Sequence, residues 1–455
     1  MTCLARMTLT DLSQRLAKHE VSSRQLVEQA LGAVDDPEGE GACTFIRVHR
    51  DRALADADRI DALRRAGGPL HRLAGIPISI KDLLDEAGVT TLGGSRVRIG
   101  APVAKHDSTV VERLRQAGLV IVGRTNLTEF AYSGLGINPH YGTPRNVFDR
   151  ASARIPGGSS SGAAISVSDG MAAAAIGTDT GGSVRIPAAL NGLVGFKPTA
   201  RRVPLDGVLP LSISADSVGP IAKSVADCAL LDQLLAADDH AIPVAADVRG
   251  LRLALPRTLF QDDLSAAVAS AFGAALTRLS AAGATLVELP MREVALAASV
   301  NPRGAISSAE AFWWHRNLIA ERADQYDPRV IARIRPGEAI SAADYIEMLQ
   351  QRKAFVRTID AAVHGFDAML MPTTPDIAPT IAECSKDDVS YFRLNSRMLR
   401  NPSVVNLFDG CALSVPCHTP GSAPVGLMIA GTQGSDRRIL AIGLAVEEVL
   451  AQARL

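Results

Sequence analysis

A glycine pair followed by a serine, Gly181-Gly182-Ser183, is the segment of this 455-residue chain whose residue types first suggest chemistry. Glycine adopts backbone shapes that expose consecutive N–H groups, and such groups can hold an anion. A serine hydroxyl beside them has the parts of an acyl-transfer site, a nucleophile and an oxyanion hole. Taken alone, the same three residues are also typical of a plain turn. The segment indicates catalysis only if other residues of the chain supply a base for the serine.

Lys81 is the candidate base, because it directly follows a short apolar strand predicted at residues 76–80. Ligands bind at the carboxyl ends of strands in open α/β sheets, which is where this lysine would lie. Lysine has an unperturbed pKa of about 10.4, so it acts as a base near neutral pH only if burial lowers that pKa. The competing interpretation is a surface lysine that pairs with the neighbouring Asp82.

The run GGSSSG at residues 157–162 contains a second candidate nucleophile, Ser160. Residues 158–162 fit G-x-S-x-G, the nucleophile elbow of α/β-hydrolases. That motif requires a buried strand directly before it, whereas residues 149–156 have the composition of a loop. A helix N-terminus or a phosphate-binding turn is the plain alternative for this serine-rich segment.

The sequence carries no pattern for a metal or a nucleotide cofactor, and none is predicted. Its nine histidines show no H-x-x-x-H spacing and no histidine–cysteine pairing of the usual zinc kinds. A Walker A motif is missing, and so is a strand–GxGxxG–helix unit.

The elements that must position these residues alternate between strands and helices. Apolar runs predict strands at 76–80, 119–122, 172–176, 251–255, 285–289, 368–371, 411–415 and 425–430. Helical periodicity is found over 8–66, 224–236, 263–282 and 436–452. This alternation predicts an α/β protein with helices covering a mixed sheet. A long Gly/Pro/Ser loop at 133–162 interrupts the rhythm, and such loops are usually functional or disordered.

The composition excludes several classes of partner. With 47 Lys+Arg against 48 Asp+Glu, the formal net charge of −1 gives no electrostatic case for nucleic acid or a membrane surface. Six scattered cysteines without a C-x-x-C pair indicate reduced, cytoplasmic usage. No secretory signal is visible at residues 1–10, and apolar stretches are broken well before 18 residues, so no membrane span is predicted.

Further motifs occur in a fixed order around these candidates, and together they resemble the amidase-signature family, over about residues 8–450. They are GIPISIKD at 75–82, GRTN at 123–126, YGTPRN at 141–146, PGGSSSG at 156–162, GTDTGGSVRIP at 177–187, GFKPT at 195–199, DSVGP at 216–220, MPTTP at 371–375, VNL at 405–407, SVP at 414–416 and PVGL at 424–427.

The resemblance implies a Ser–cis-Ser–Lys triad on the matching positions of this chain. Ser183 matches the nucleophile, Ser159 the bridging serine in a cis peptide, and Lys81 the base. Neutral Lys81 would take a proton from Ser159, which would take one from Ser183 as it attacks the amide carbonyl. Ser–Lys pairs are a known variant of triad logic.

The oxyanion hole of the family matches the backbone amides of Thr180, Gly181, Gly182 and Ser183. We also expect the two charged residues that flank this turn, Asp179 and Arg185, to pair and to brace it. The expected reaction is hydrolysis of a linear amide C–N bond through an acyl-enzyme on Ser183.

The resemblance also implies one α/β/α domain around a twisted mixed sheet of about eleven strands. Within it we predict an N-terminal helical segment at 1–66 and a signature core at 67–230. A segment at 231–365 is predicted to shape the pocket, and 366–455 to complete the same sheet. A homodimer is possible, since relatives are often dimers.

Substrate preference is less defined. Ala131 and Tyr132 match positions that line the acyl pocket of relatives, where the ring offers a surface for a flat substrate. Arg352 and Arg400 could meet an acidic substrate group, although a solvated surface position is the commoner interpretation. The segment at about 300–350, with Trp313-Trp314-His315, is expected to shape the entrance.

Two kinds of family member remain to be distinguished. One is a stand-alone amidase acting on a small-molecule amide; the other is the glutaminase A subunit of a tRNA-dependent amidotransferase. The latter places an acidic residue six positions before the valine of V-N-L, to hold the glutamine ammonium. Val405-Asn406-Leu407 puts Leu399 at that position, which favours the stand-alone amidase.

Overall fold

A single mixed sheet organises the molecule, which is described over residues 3–451 of a computed structural model. Eleven strands form within that range and all belong to the sheet. In chain order, β1 to β11 are Phe45–Val48, Pro77–Lys81, Val120–Thr125, Ala174–Asp179, Val194–Lys197, Ser217–Ala222, Arg252–Pro256, Thr285–Leu289, Ala368–Pro372, Cys411–Pro416 and Gly426–Gly431.

Sixteen α-helices occur in the same described range. In chain order, α1 to α16 are Leu9–Ala17, Ser23–Asp35, Gly41–Thr44, Arg50–Arg65, Thr109–Gln116, Ser161–Ser168, Arg185–Leu190, Val225–Ala236, Ala266–Ala281, Ala297–Val300, Ala305–Arg322, Pro328–Ile334, Ala342–Ala362, Ile381–Ser385, Asp388–Leu407 and Asp436–Ala451. Short 3₁₀ turns lie at Cys3–Ala5, Glu129–Ala131, Arg150–Ser152, Arg292–Leu296, Pro302–Gly304, Ala323–Gln325 and Arg335–Ala339.

The strand order is β1-β3-β2-β4-β6-β5-β10-β11-β9-β7-β8. Strand β2 lies between β3 and β4 and runs parallel to both, whereas β4 pairs antiparallel with β6. Because β2 and β4 are parallel neighbours, their last residues, Lys81 and Asp179, lie at the same end of these strands, the carboxyl end. The predicted mixed sheet of about eleven strands is confirmed.

Helices cover both faces of the sheet, as the alternation of side chains along the strands requires. In β9, Leu370 packs into the largest apolar cluster, while Met369 and Met371 pack into a second cluster on the other face. In β2, Ile78 and Ile80 belong to the largest cluster. The side chain of Lys81 therefore leaves the sheet on the opposite face, where α6 packs.

The predicted strands are found, each within three residues at either end, but three strands were not predicted. Val194–Lys197 and Ser217–Ala222 contain glycine, lysine or proline, so they lack the apolar pattern of the predicted strands. The prediction that residues 1–66 are a helical segment is wrong at Phe45–Val48. This segment is an edge strand that pairs antiparallel with β3.

The sheet takes strands from all four segments into which the sequence was divided. In the described part of the chain, no helix has both the length and the apolar character needed to cross a membrane.

Candidate active site

Lys81 ends strand β2 and is fully buried. Its Nζ donates to Ser159 Oγ at 2.7 Å and to Thr178 Oγ1 at 2.8 Å. The alternative of a surface pair with Asp82 is wrong, because the Asp82 carboxylate accepts a hydrogen bond from Arg124 Nε at 2.5 Å. Lys81 therefore faces two hydroxyl groups.

The electrostatic environment of Lys81 favours its neutral form. Burial lowers the pKa of the ammonium to about 7, even though the nearby carboxylates of Asp179 and Asp216 act in the opposite direction. Desolvation disfavours the charged form of any buried lysine, and here it outweighs two attractive charges. A substantial fraction of Lys81 is thus a free amine at neutral pH, as a base requires.

Ser159 follows a cis peptide bond from Gly158 and is completely buried. The neighbouring Ser160, the alternative nucleophile, is also buried, and its Oγ donates to Thr178 O at 3.4 Å. The residues before it form the 3₁₀ turn Arg150–Ser152 and a loop. The nucleophile-elbow interpretation of Ser160 is wrong, because that motif needs a strand at this point.

Ser183 lies in the turn that joins β4 to α7. The Asp179 carboxylate organises this turn by accepting the N–H groups of Gly182 at 2.8 Å and Val184 at 3.2 Å. It also forms a 3.0 Å ion pair with Arg185, and both side chains are fully buried. Burial raises the pKa of Asp179, but the charge and hydrogen bonds of Arg185 outweigh it and hold that pKa well below its usual range. The predicted bracing pair is confirmed.

Gly182 contributes backbone shape to this turn. Its φ is +124°, and a Cβ there would lie 2.6 Å from Pro402 Cβ, so no other residue fits. Because its N–H already donates to Asp179, the expectation that Gly182 offers a free oxyanion donor needs correction. Thr180, Gly181 and Ser183, which line the adjacent cavity, keep that proposed role.

The two serine-bearing turns are joined through their main chains, by a 3.2 Å hydrogen bond from Ser160 N to Ser183 O. Among residues 3–451, no hydrogen bond joins the side-chain hydroxyls of Ser159 and Ser183. The structure therefore places Lys81 within hydrogen-bond distance of Ser159. The hydrogen bond between Ser159 and Ser183 that the predicted relay requires is not formed. Catalytic hydrogen bonds of unliganded enzymes often tighten only when substrate binds.

A cavity of about 140 Å³ opens beside Ser183. Its volume is smaller than the roughly 300–1,000 Å³ of pockets for drug-sized ligands, so it suits a small ligand. Its walls are formed by Ala131, Tyr132, Ser133, Thr180, Gly181, Ser183, Leu211, Ser212, Ala215, Asn301, Arg303, Gly304, Ile306, Ser307, Ser308, Arg333, Arg352, Leu399, Ser403, Asn406 and Leu407.

Ala131 and Tyr132 lie in this wall, as expected from the sequence. Phe130 and Ala131 have φ values of +49° and +63°, a left-handed shape that is strained for residues other than glycine and is often found at functional sites. One face of the Tyr132 ring is not open to a substrate, because the Arg333 guanidinium lies 4.7 Å from the ring centre.

The segment at 300–350 does reach the cavity, but through residues other than those expected. Asn301 to Ser308 and Arg333 line it, whereas Trp313, Trp314 and His315 do not. Trp313 is 52% exposed, and the His315 ring packs 4.4 Å from the Phe130 ring. Trp314 and His315 therefore pack against Phe130, next to the cavity-lining Ala131, and do not contact the cavity themselves.

The two arginines proposed for an acidic substrate group have different environments. Arg352 lines the cavity and is 8% exposed, so its interpretation as a solvated surface residue is wrong. Its guanidinium donates to the main-chain oxygens of Leu407, Asn406 and Ser214, each at 2.9 Å. Arg400 is half-buried, donates to Asn401 Oδ1 and lies outside the cavity wall.

Sequence reasoning missed three groups of the site. Thr178 and Asp216 lie inside motifs that were recognised in the sequence, but no function was predicted for either residue. Asp216 accepts the Thr180 hydroxyl, and burial raises its pKa to about 6. Arg333 has no motif around it, and only the packing of α12 against Tyr132 brings it to the cavity.

Comparison with known proteins shows the family of the chain. A family model described as Amidase matches residues 40–440. The 2-amino-5-chloromuconic acid deaminase of Comamonas testosteroni is 34% identical, covering 98% of this chain and 97% of that protein. The A subunit of the glutamyl-tRNA(Gln) amidotransferase from Synechococcus sp. (strain CC9605) is 35% identical, covering 97% and 96%. A crystal structure of an amidase, 30% identical, matches with a TM-score of 0.87 over 99% of this chain and 100% of that one.

These similarities extend over nearly the whole chain and over the elements that carry the site. They define an enzyme that acts on amide C–N bonds. The chain belongs to the amidase family, the amidase-signature family that its motifs resemble.

Proposed function

We propose that this protein is an amidase that hydrolyses a small carboxylic amide to a carboxylate and ammonia or an amine, through an acyl-enzyme on Ser183. The observation that carries the proposal is the buried Lys81, whose pKa is lowered to about 7 and whose Nζ lies 2.7 Å from Ser159 Oγ. A nearly neutral amine bonded to a hydroxyl next to a glycine–serine turn has the parts of an activated nucleophile.

The proposed reaction begins with a two-step proton transfer. Ser183 Oγ attacks the amide carbonyl carbon and gives its proton to Ser159 Oγ, which passes its own proton to the Lys81 amine. The C–N bond then breaks, and the proton returns from Lys81 through Ser159 to the leaving nitrogen. A water molecule repeats the sequence on the ester, which releases the carboxylate and restores Ser183.

The negative charge that develops on the carbonyl oxygen needs donors in the cavity wall. We assign this role to the backbone N–H groups of the turn at Thr180, Gly181 and Ser183, which line the cavity. The ion pair of Asp179 with Arg185 holds the turn in place, so the donors need no reorganisation during the reaction. A single donor of this kind is worth about 3–4 kcal/mol of the activation barrier.

A second candidate function is the glutaminase component of a tRNA-dependent amidotransferase, which the 35% identity to such a protein supports. The cavity argues against it. Its wall contains the apolar Leu399 and, within the described chain, neither aspartate nor glutamate. A glutamine substrate carries an ammonium group, and a buried positive charge needs an anionic partner. We therefore favour the stand-alone enzyme.

The test is ammonia release by the purified chain alone over a panel of small amides. Wild type is compared with Ser183→Ala and with Ser160→Ala, a matched control from the neighbouring serine-rich turn. We expect Ser183→Ala to lose at least about 10⁴-fold in kcat, as expected for a missing nucleophile, while Ser160→Ala stays active.

Labelling by a fluorophosphonate probe gives a second measurement of the same proposal. The probe should modify Ser183, and the Ser183→Ala variant should remain unmodified. Ammonia release from glutamine only in the presence of partner chains and tRNA would support the transamidase component instead. An inactive Ser160→Ala beside an active Ser183→Ala would overturn the assignment of the nucleophile.

A further inference from the structure

Asp216 lies directly before strand β6, where the strand pairing brings it next to the turn that carries Ser183. Strands β4 and β6 pair antiparallel, with Asp179 opposite Ser217. The residue after Asp179 and the residue before Ser217 are therefore neighbours in space, and these are Thr180 and Asp216. The pairing thus places a carboxylate beside the first residue of the proposed oxyanion hole.

The Asp216 carboxylate accepts hydrogen bonds from two segments of the cavity wall. Its Oδ1 accepts the Thr180 hydroxyl, and its Oδ2 accepts the N–H groups of Leu211 at 2.9 Å and Ser212 at 3.0 Å. All three donor residues line the cavity. Asp216 is buried, and hydrogen bonds to a charged group in such surroundings are stronger than in water. One carboxylate therefore fixes Thr180 relative to the segment at 211–212.

The charge of Asp216 also acts on Lys81. The carboxylates of Asp179 and Asp216 both favour the ammonium form of Lys81, against the larger effect of burial. Burial raises the pKa of Asp216 to about 6, and the charge of Glu310 on α11 acts in the same direction. Asp216 is therefore ionised at the pH values at which most of Lys81 becomes neutral. In the proposed relay Lys81 takes up a proton, and a negative charge nearby stabilises the ammonium that forms.

Glu310 holds the same wall segment from a different element. It accepts the Ser212 hydroxyl and, at 3.2 Å, the Ser214 N–H, and its other oxygen accepts the Tyr345 hydroxyl. Within the described chain, Asp216 is the one of these two carboxylates that also bonds to the turn of Thr180. The wall segment thus has a second anchor, so a change at Asp216 or Thr180 can affect the turn while the segment stays in place.

We propose that Asp216 is a positioning residue of the amidase reaction. Its hydrogen bond to the Thr180 hydroxyl holds the backbone donors of the turn where the carbonyl oxygen becomes negative, and its charge stabilises the ammonium of Lys81. The inference rests on the proposed amidase function and adds a residue to its site. Asp216 is not among the described residues that line the cavity, so it acts through Thr180 and Lys81 and does not touch the substrate.

Two variants of Thr180 test the hydrogen bond, with an amide of the panel that wild type hydrolyses. Thr180→Val keeps the backbone N–H and the shape of the side chain but has no hydroxyl, whereas Thr180→Ser keeps the hydroxyl. We expect Thr180→Val to lower kcat about 10- to 100-fold, since removal of a whole oxyanion donor costs about 10²–10³-fold. KM should stay within about threefold, because these donors act on the transition state. Thr180→Ser should keep kcat within about threefold of wild type.

Asp216→Asn tests the charge, because asparagine has the same shape and can still bond to both wall segments. Its oxygen can accept from Leu211 and Ser212, and its NH₂ group can donate to Thr180 Oγ1. Without the carboxylate the ammonium of Lys81 is less stable, so its pKa falls. The midpoint of the rise of kcat/KM with pH should therefore lie about one pH unit below that of wild type. Thr180→Val should keep the wild-type midpoint.

Asp227→Asn is the matched control for the loss of a buried charge. Asp227 is buried, accepts the main-chain N–H of Leu9 at 2.9 Å, and has a pKa that burial raises to about 6. It lies outside the described cavity wall, and it is not one of the two carboxylates that act on Lys81. The control should keep the wild-type kcat and the wild-type midpoint, whatever its Tm in thermal unfolding.

The rate at which the fluorophosphonate labels Ser183, followed between about pH 5 and pH 9, gives the same midpoint without an amide substrate, because labelling needs the same base. Thermal unfolding of each variant shows that it is folded. Thr180→Val, in which Asp216 is unchanged, decides the inference if Asp216→Asn does not fold.

The outcomes separate this inference from the proposed function. Wild-type kcat in Thr180→Val would show that the hydrogen bond to Asp216 does not position the donors. A wild-type midpoint in Asp216→Asn, or an equal shift in Asp227→Asn, would show that the charge of Asp216 does not act on Lys81. Either result overturns the inference while the amidase function stands. If no amide is hydrolysed and the fluorophosphonate does not label Ser183, the proposed function itself is wrong.

Discussion

Lys81 and Lys197 have similar environments at different places in the sheet, yet they bond to different kinds of partner. Both are buried, and burial lowers the pKa of Lys81 to about 7 and that of Lys197 to about 8. Lys81 donates to the hydroxyls of Ser159 and Thr178. Lys197 donates to two main-chain carbonyls, those of Pro198 and Gly410, both at 2.7 Å.

The difference shows that burial and a lowered pKa do not by themselves identify a catalytic base. A carbonyl oxygen accepts hydrogen bonds but has no proton to transfer, so Lys197 can only tie main-chain segments together. A hydroxyl can donate its proton to a neutral amine, so Lys81 can take part in a relay. From these partners we propose Lys81 as the catalytic base and Lys197 as a structural residue.

Lys81→Met gives the largest expected effect on activity. The variant keeps an apolar side chain of similar length but has no base, so kcat should fall by about 10³-fold. Ammonia release measures the loss, and thermal unfolding shows whether the fold is intact. We expect an unchanged or higher Tm, because a buried amine is removed and the two hydroxyls can rotate to other acceptors. An active Lys81→Met enzyme would show that Lys81 is not the base, and the proposed difference between Lys81 and Lys197 would be wrong.

The pH dependence of wild-type activity should follow the protonation of Lys81. Only the neutral amine accepts a proton, and its fraction grows as the pH rises through the pKa of about 7. We therefore expect kcat/KM to increase about tenfold per pH unit below 7 and to level off above it. A profile that is flat between pH 5 and pH 9 would contradict the assignment of Lys81 as the base.

In contrast to Lys81→Met, Lys197→Met should lower the stability of the fold strongly and change the activity little. The carbonyls of Pro198 and Gly410 lose their donor, at about 1–3 kcal/mol for each buried group left unbonded. Urea denaturation should show the free energy of unfolding reduced by about 2–6 kcal/mol. Activity per folded molecule should stay within about threefold and keep the wild-type pH profile. A loss as large as that of Lys81→Met, in protein that is still folded, would show that hydroxyl partners are not the deciding feature.

Ser160→Ala is expected to have the smallest effect, although this serine lies directly between Ser159 and the α6 helix. Its hydroxyl makes only a long, 3.4 Å bond to Thr178 O, and the alanine removes less than about 1 kcal/mol of stability. Steady-state kinetics should give kcat/KM within about twofold of wild type. A tenfold loss with normal folding would bring Ser160 into the relay.

The motif-rich part of the chain could be interpreted in part from the sequence, because its residues act through local shape and chemical type. The glycines and serines of residues 156–187 and the lysine that ends β2 could be named from the sequence, and the structure brings Lys81 to Ser159. The use of the Gly182 N–H could not be predicted. Whether a backbone donor is free depends on the carboxylate of Asp179, whose direction is set by its ion pair with Arg185.

The part of the cavity wall that contains Arg333 and Arg352 was predicted poorly. Arg352 was expected at the surface, and Arg333 was not considered at all. Neither lies in a recurring motif, and Arg333 meets Tyr132 across 201 residues of sequence. An arginine in a helix looks the same in a sequence whether it faces solvent or a cavity, because only the packing of helices against one another distinguishes the two.

By itself, the sequence determined the family, the mixed sheet and the types of residue available for amide chemistry. These follow from periodicity and from motifs in which each glycine, serine or lysine has a local reason for its place. Only the tertiary structure decided that Lys81 is buried against hydroxyls, that the Gly182 N–H is already bonded and that arginines line the cavity. Burial, hydrogen-bond partners and local charge depend on segments distant in the chain, and their positions become fixed only when the sheet and its helices pack together.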